Sequence, residues 1–173
     1  MNEQRYRAVI GWFNAHPAAK RGLYLVSRGA VAAVYLLYGG LLLWLAAWHR
    51  TYLWPSALVP AAAFWAGSAL RAYLDRPRPY TALGYRPLFP KEEKGRSMPS
   101  RHCFSAAAIA VVAWYTSAPL GAALAVLAVL IALSRVITGV HYISDVLAGL
   151  AFGSGFALVG WQLYGLVVRA LLG

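Results

Sequence analysis

Four stretches of this chain carry no charged residue at all: Gly29 to Trp48 (20 residues), Thr51 to Leu70 (20), Cys103 to Ser134 (32) and Val146 to Val168 (23). A hydrocarbon layer about 30 Å thick is crossed by about 20 helical residues rising about 1.5 Å each, so apolar runs of this length read as membrane spans. The 32-residue run is too long for one straight crossing, and Thr116, Ser117 and Pro119 supply a break. It divides into spans at about Ser100 to Ser117 and Pro119 to Thr138. With spans ending near Trp48, running from Leu53 to Leu74 and running from Ser144 to Arg169, the expectation is an all-α polytopic bundle of about five transmembrane helices. Pro55 and Pro60 are tolerable in the second span if a neighbour satisfies the carbonyls they free.

Ahead of the first span, Tyr6, Val9, Ile10 and Phe13 recur at helical spacing while Arg5, Arg7 and Asn14 take the other side. Residues 1–21 are therefore expected to form an amphipathic segment at the membrane interface. No short apolar stretch with a small-residue cleavage site stands at the N-terminus, so Met1 onward is read as mature protein. The whole chain, 1–173, is expected to be one integral-membrane domain, with residues 75–99 as a loop between spans. With five spans, two crossings separate that loop from the turn between the fourth and fifth spans, which places the loop, the end of the fourth span and the start of the fifth at one membrane face.

Charge is lopsided: 16 Lys and Arg against 5 Asp and Glu, a formal net charge of +11. No basic stripe with interleaved aromatics lies outside the apolar runs, which argues against nucleic acid and for anionic lipid surfaces and phosphorylated ligands. Cys103 is the only cysteine, excluding an intrachain disulfide and a cysteine zinc site. Half of the basic residues fall between Arg71 and Arg101. The acids near them are Asp75, Glu92, Glu93 and Asp145, too sparse for a two-metal phosphatase, so no metal and no other cofactor is expected.

Within this region three patterns stand in order: Arg71-x6-Arg78-Pro79, Pro99-Ser100-Arg101-His102, and Ser134-Arg135-x5-His141-x3-Asp145. Ser100 precedes a span, where it is a plausible N-cap and where free N–H groups attract anions. His141 and Asp145, four apart, meet on one face if the last helix has begun, and a carboxylate on one ring nitrogen leaves the other with its lone pair outward. Arg71 has two readings, a phosphate ligand or an ordinary ion pair with Asp75 one turn on. Arg76, Arg86, Lys91, Lys94 and Arg96 read as headgroup contacts or solvated loop charges, balanced by Glu92 and Glu93.

The order and spacing of the three patterns resemble the signature of the type 2 phosphatidic acid phosphatase superfamily, which includes vanadium haloperoxidases and bacterial acid phosphatases. That signature reads Lys-x6-Arg-Pro, Pro-Ser-Gly-His and Ser-Arg-x5-His-x3-Asp. Two positions differ here, Arg71 for lysine and Arg101 for glycine, each exchange enlarging or adding a cation. The resemblance implies a membrane lipid phosphate or diphosphate phosphatase working without metal through a phosphohistidine at His141. In that scheme Asp145 orients His141, and His102 protonates the departing oxygen and then activates water. Arg71, Arg78, Ser100, Arg101 and Arg135 hold the phosphate oxygens, Arg101 through its side chain, through its amide alone, or by facing headgroups instead. Alternatives are a lipid phosphotransferase using the same site, and a noncatalytic anion- or lipid-binding membrane protein. The partners are the lipid substrate and the bilayer. Ten basic residues outside the pocket lie on the loop side against Arg50 and Arg169 opposite, which places the site toward the cytoplasm by the positive-inside tendency, whereas many bacterial relatives face outward.

Overall fold

The computed structural model describes residues 2–172, and within them every regular element is helical. In chain order these are α1 (Glu3–Ala15), α2 (Pro17–Trp48), α3 (Arg50–Leu74), α4 (Pro79–Ala82), α5 (Arg101–Thr116), α6 (Ala118–Ile137) and α7 (Ile143–Leu172). Helix ends follow the local chemistry. The Asn2 side chain accepts the Arg5 amide at 3.1 Å to start α1, and Pro17 begins α2, where its missing N–H costs nothing. Asp75, in the left-handed region at φ 33°, stops α3. Ser117 takes an extended conformation between α5 and α6, at the break expected from Thr116, Ser117 and Pro119.

Helices α2, α3, α6 and α7 are long and apolar enough to cross a membrane. Their outward faces carry exposed large apolar side chains, among them Leu36, Leu43, Trp65, Leu133 and Leu163, as expected where the solvent is lipid. The fifth span expected from sequence is α5, which at 16 residues is the shortest of the set. It is the central one: Cys103, Phe104, Ala106 to Ala110, Val112 and Ala113 are all buried, against α2, α3, α6 and α7.

Helix association in lipid gains little from the hydrophobic effect and depends on close packing of small residues. The alanines of α5 and glycines facing it supply this. A Cβ on Gly153 of α7 would stand 2.1 Å from the Phe104 carbonyl oxygen, and one on Gly121 of α6 2.5 Å from Trp114 Cα. In α3, Pro60 removes the donor that would bond the Ser56 carbonyl; the Tyr38 hydroxyl of α2 donates to that oxygen at 2.8 Å instead.

The amphipathic N-terminal segment forms α1 and lies across the loop end of the bundle. Its apolar stripe is taken up by protein: Tyr6 and Ile10 are buried with Tyr80, Tyr85, Leu88 and Val140. The polar side holds an Arg7–Glu3 pair at 2.7 Å.

Candidate active site

Loop 75–100 is folded back on itself. The Arg78 amide donates to the Lys94 carbonyl at 3.0 Å, and the Ser97 amide to the Arg76 carbonyl at 2.8 Å. Arg78, between Pro77 and Pro79, is extended (φ −74°, ψ 153°) as those prolines dictate, which aims its side chain under the loop. There it is buried, with Nε donating to Gly95 O at 3.2 Å, Nη1 to Val140 O at 3.4 Å and Nη2 to the Glu93 carboxylate. Arg71, on the last turn of α3, donates from Nη1 to Pro99 O at 3.1 Å. Asp75 instead accepts the Arg96 amide at 3.2 Å, so the alternative Arg71–Asp75 pair is not formed.

The turn from α6 to α7 delivers His141. Gly139 there adopts φ 74°, and the Tyr85 hydroxyl donates to its carbonyl at 2.8 Å, while Tyr6 of α1 donates to the His141 carbonyl at 3.2 Å. Helix α1 and the loop thus clamp the backbone that carries this ring. Nδ1 of His141 faces Asp145 Oδ2 at 3.5 Å and Ser97 Oγ at 3.4 Å. A proton on Nδ1 serves these acceptors and leaves the lone pair on Nε2. Burial pushes His141 below the usual imidazole range, Arg78 and Arg71 add to this, and the bond to Asp145 opposes it.

Asp145 is completely buried and fully engaged. Oδ2 accepts Ser97 Oγ at 2.5 Å and the Tyr142 amide at 3.0 Å, and Oδ1 accepts Arg76 Nη1 at 2.8 Å. Arg76 also stacks over the Tyr142 ring, 4.3 Å from its centroid. The expectation that Arg76 is a headgroup or solvated charge is corrected: its guanidinium offsets the buried carboxylate, which would otherwise be costly to desolvate. Arg76 and Ser97, with Lys91 and Glu93 at the space described next, are functional-site residues that sequence reasoning misses, Lys91 and Glu93 having been read as headgroup or loop charges. A signal existed for a cation, since one carboxylate buried among apolar spans needs a counter-charge; nothing in the spacing picked out which.

Six expected residues line one small space of about 10 Å³: Arg71, Arg78, Arg101, His102, Arg135 and His141, with Lys91 and Glu93 also at its wall. That volume is about one water. Glu93 reaches in from the loop to pair with Arg78, its side chain still half exposed. Burial alone would raise its carboxyl, but Lys91, Arg78 and Arg101 outweigh this and hold it below the usual carboxylate range. Glu93 is therefore bound among pocket arginines rather than balancing outer loop charges. Arg135 presents a buried Nε with no acceptor among the described residues.

Ser100, also expected to hold phosphate, is not among the residues that line the space. It occupies the N-cap position of α5, yet its hydroxyl makes no capping bond, and its amide donates to Asp145 O at 2.9 Å. The expected side-chain cap is therefore absent, and the Ser100 amide is already committed. Gly149 permits this join, since a Cβ there would be 2.8 Å from Ser100 O. The backbone amides of Arg101 and His102 have no acceptor among the described residues.

A profile of the PAP2 superfamily matches residues 52–169, which includes every charged group of this pocket. The chain belongs to the PAP2 superfamily. The crystal structure of Aquifex aeolicus LpxE superposes with a TM-score of 0.71 at 25% identity, over 93% of this chain and 94% of that one. The first transmembrane PAP2-type phosphatidylglycerolphosphate phosphatase from Bacillus subtilis superposes with a TM-score of 0.57 at 20% identity, over 92% of both chains, a likeness of fold. Among curated proteins no sequence match is significant. This PAP2 protein is a multi-pass membrane enzyme, a phosphoric ester hydrolase with the fold of membrane lipid phosphatases. Among the described residues, no three His, Cys, Asp or Glu side chains gather as a metal-binding set.

Proposed function

We propose that this PAP2 protein releases inorganic phosphate from a membrane lipid by two-step transfer through phospho-His141. The observation that carries the reading is the opening of both imidazoles, His102 and His141, on one space ringed by Arg71, Arg78, Arg101 and Arg135. In the first step the Nε2 lone pair of His141 forms a bond to phosphorus, the bond from phosphorus to the lipid oxygen breaks, and His102 gives that oxygen its proton. In the second step His102 takes a proton from water, the resulting oxygen attacks phosphorus, and the phosphorus–nitrogen bond returns its electron pair to His141. The guanidinium groups and the free amides of Arg101 and His102 hold the nonbridging oxygens, whose charge grows in each transition state.

A lipid is favoured because the site sits at the end of a bundle with apolar outer walls, where a substrate arrives by lateral diffusion with its tails in the bilayer. Phosphatidylglycerophosphate, named for the Bacillus subtilis relative, is one candidate; phosphatidic acid and a polyprenyl diphosphate are the others. No step requires metal. The site is assigned to the cytoplasmic face on the excess of basic residues around the loop.

The deciding assay is phosphate release from each lipid in detergent with chelator present, together with rapid-quench trapping of acid-labile, base-stable protein phosphate. The reading expects label on His141 in the wild type and none in His141→Ala, whose turnover falls at least about 10³-fold. Wild-type turnover in both His141→Ala and His102→Ala would end it, and transfer to an added acceptor lipid without free phosphate would convert it to a phosphotransferase.

A further inference from the structure

His141 lies in the turn between α6 and α7, outside either helix, so no helical ladder fixes its backbone. The two peptide units that flank its Cα are instead held one group at a time. In the unit from Val140 to His141, the carbonyl accepts Arg78 Nη1 at 3.4 Å and the N–H donates to the Arg135 carbonyl at 3.3 Å. In the unit from His141 to Tyr142, the N–H donates to Asp145 Oδ2 at 3.0 Å and the carbonyl accepts the Tyr6 hydroxyl at 3.2 Å. Arg78, Arg135 and Asp145 belong to the expected site. Tyr6 comes from α1, outside the residues 52–169 that the PAP2 profile matches. Among the described residues no main-chain amide bonds the His141 carbonyl, so Tyr6 is the donor that oxygen has.

Tyr6 is itself placed with little freedom. It is completely buried, its ring stacks on Tyr85 with centroids 5.2 Å apart, and Tyr85 bonds the Gly139 carbonyl two residues before His141. The next side chain on α1, Arg7, donates to the Gly84 carbonyl at 2.9 Å, tying the helix to the same loop. Burial pushes the Tyr6 hydroxyl up to about 12, so it stays protonated and able to donate. A bond accepted by a carbonyl polarises the N–H across the same peptide unit, and here that N–H meets the carboxylate oxygen that also faces His141 Nδ1. One chain of contacts therefore runs from the Tyr6 hydroxyl through the 141–142 peptide and Asp145 Oδ2 to the imidazole.

We propose that Tyr6 is a positioning residue for the nucleophile: its hydroxyl holds the 141–142 peptide in the orientation that aims His141 Nε2 at phosphorus, which makes the N-terminal helix part of the catalytic apparatus. The inference rests on the reading of His141 as nucleophile. Tyr6 is not among the residues lining the catalytic space, so it acts through His141 and not on the substrate. Loss of its bond misplaces the attacking atom while the arginines still hold the phosphate oxygens, which costs rate and spares affinity.

The test removes one oxygen atom from the full chain. Tyr6→Phe keeps the stacked ring, and Tyr38→Phe, which deletes a hydroxyl-to-carbonyl bond of the same kind between α2 and α3, is the control. Both are assayed in detergent below their thermal midpoints, on whichever of phosphatidic acid, phosphatidylglycerophosphate and a polyprenyl diphosphate the wild type turns over fastest. At saturating lipid, Tyr6→Phe should slow the single-turnover phosphorylation of His141 about fivefold, as expected for one neutral hydrogen bond, and leave KM within about twofold. Tyr38→Phe should leave both unchanged. In an Asp145→Asn background, where the link to the ring is already weakened, Tyr6→Phe should cost less than about twofold, since residues acting as one unit are not additive. An unaltered phosphorylation rate, an effect on KM alone, an equal loss in Tyr38→Phe, or the full fivefold loss in the Asp145→Asn background overturns the proposal. Failure of the phosphohistidine reading looks different: His141→Ala then keeps its turnover and no acid-labile label forms, whatever Tyr6→Phe does.

Discussion

Asp145 carries more of the site than its spacing from His141 suggests. A carboxylate with no exposure, shared among a histidine, a serine, an arginine and a backbone amide, fixes the ring, the loop and the first turn of α7 together. The direction of its influence is testable. Burial and the arginines hold His141 below the ordinary imidazole value of about 6.5, and Asp145 alone among the named causes pulls it up. Asp145→Asn therefore moves protonation of His141 to still lower pH, although turnover falls because the ring loses its orienting partner. Nitrogen-15 histidine NMR of the solubilised protein, assigned with His141→Ala, reads this directly; a midpoint that rises in the variant contradicts the arrangement. Glu93 yields a second prediction. Its carboxylate pairs with Arg78, one of the arginines that the reading gives to phosphate, so Glu93→Gln should tighten product inhibition by inorganic phosphate about tenfold, the loss of about 1.4 kcal/mol of competition. A weaker inhibition constant would mean that Glu93 serves to position Arg78. The convergence of Arg71, Arg78, Arg101, Arg135 and the two histidines was legible because their types and spacings follow the linear chain. Ser97, Arg76 and Glu93 were not, since each acquires its partner by the folding back of a loop that no periodicity encodes.

At the scale of elements, apolar run length and the break at Thr116 to Pro119 place α3, α5, α6 and α7 near their observed ends, whereas α2 begins at Pro17, well before the apolar run that opens at Gly29, and takes in Lys20 and Arg21 of the segment expected to lie apart at the interface. What they left out is why the shortest helix is central. Helix α5 presents alanines on nearly all sides, and α7 meets it with Gly149 and Gly153, one turn apart. Backbones can then approach closely enough for Ser100 to bond Asp145, so the packing of two spans sets the geometry of the site. Gly153→Val is expected to push α7 from α5, lower the thermal midpoint in detergent by several degrees and cost most of the activity, because its side chain meets Phe104 backbone that cannot yield. Gly155→Ala, with nothing within 4 Å of the new methyl, is the matched control and should be neutral or slightly stabilising. Equal behaviour of the two variants in a thermal melt would remove this account. Amphipathic periodicity located α1 but could not tell what covers its apolar face, because lipid and protein make the same demand of Tyr6 and Ile10.

For the whole molecule, the arrangement of spans gathers the loop, the α6–α7 turn and α1 at one end, and leaves the α2–α3 turn at the other. The basic residues follow the same division, with Arg50 and Arg169 standing apart from the rest. Two physical causes compete to explain this: retention of positive loops in the cytoplasm during insertion, and attraction of anionic substrate to the site. The structure weakens the second for Arg76, whose charge is spent on Asp145, and for Arg7, which pairs with Glu3, while leaving Lys20, Arg21 and Arg86 without a part in the catalytic space. On the proposed cytoplasmic orientation, insertion accounts for these residues; on the opposite orientation it does not. The native Cys103 is buried and silent to a bulky reagent, so single cysteines report the orientation cleanly. A membrane-impermeant maleimide applied to intact cells should label His49→Cys at the α2–α3 turn and spare Ala82→Cys at the end of α4 until the membrane is opened. Labelling of Ala82→Cys in intact cells would put the phosphatase site on the outer face, and the basic loop would then be explained by substrate capture alone.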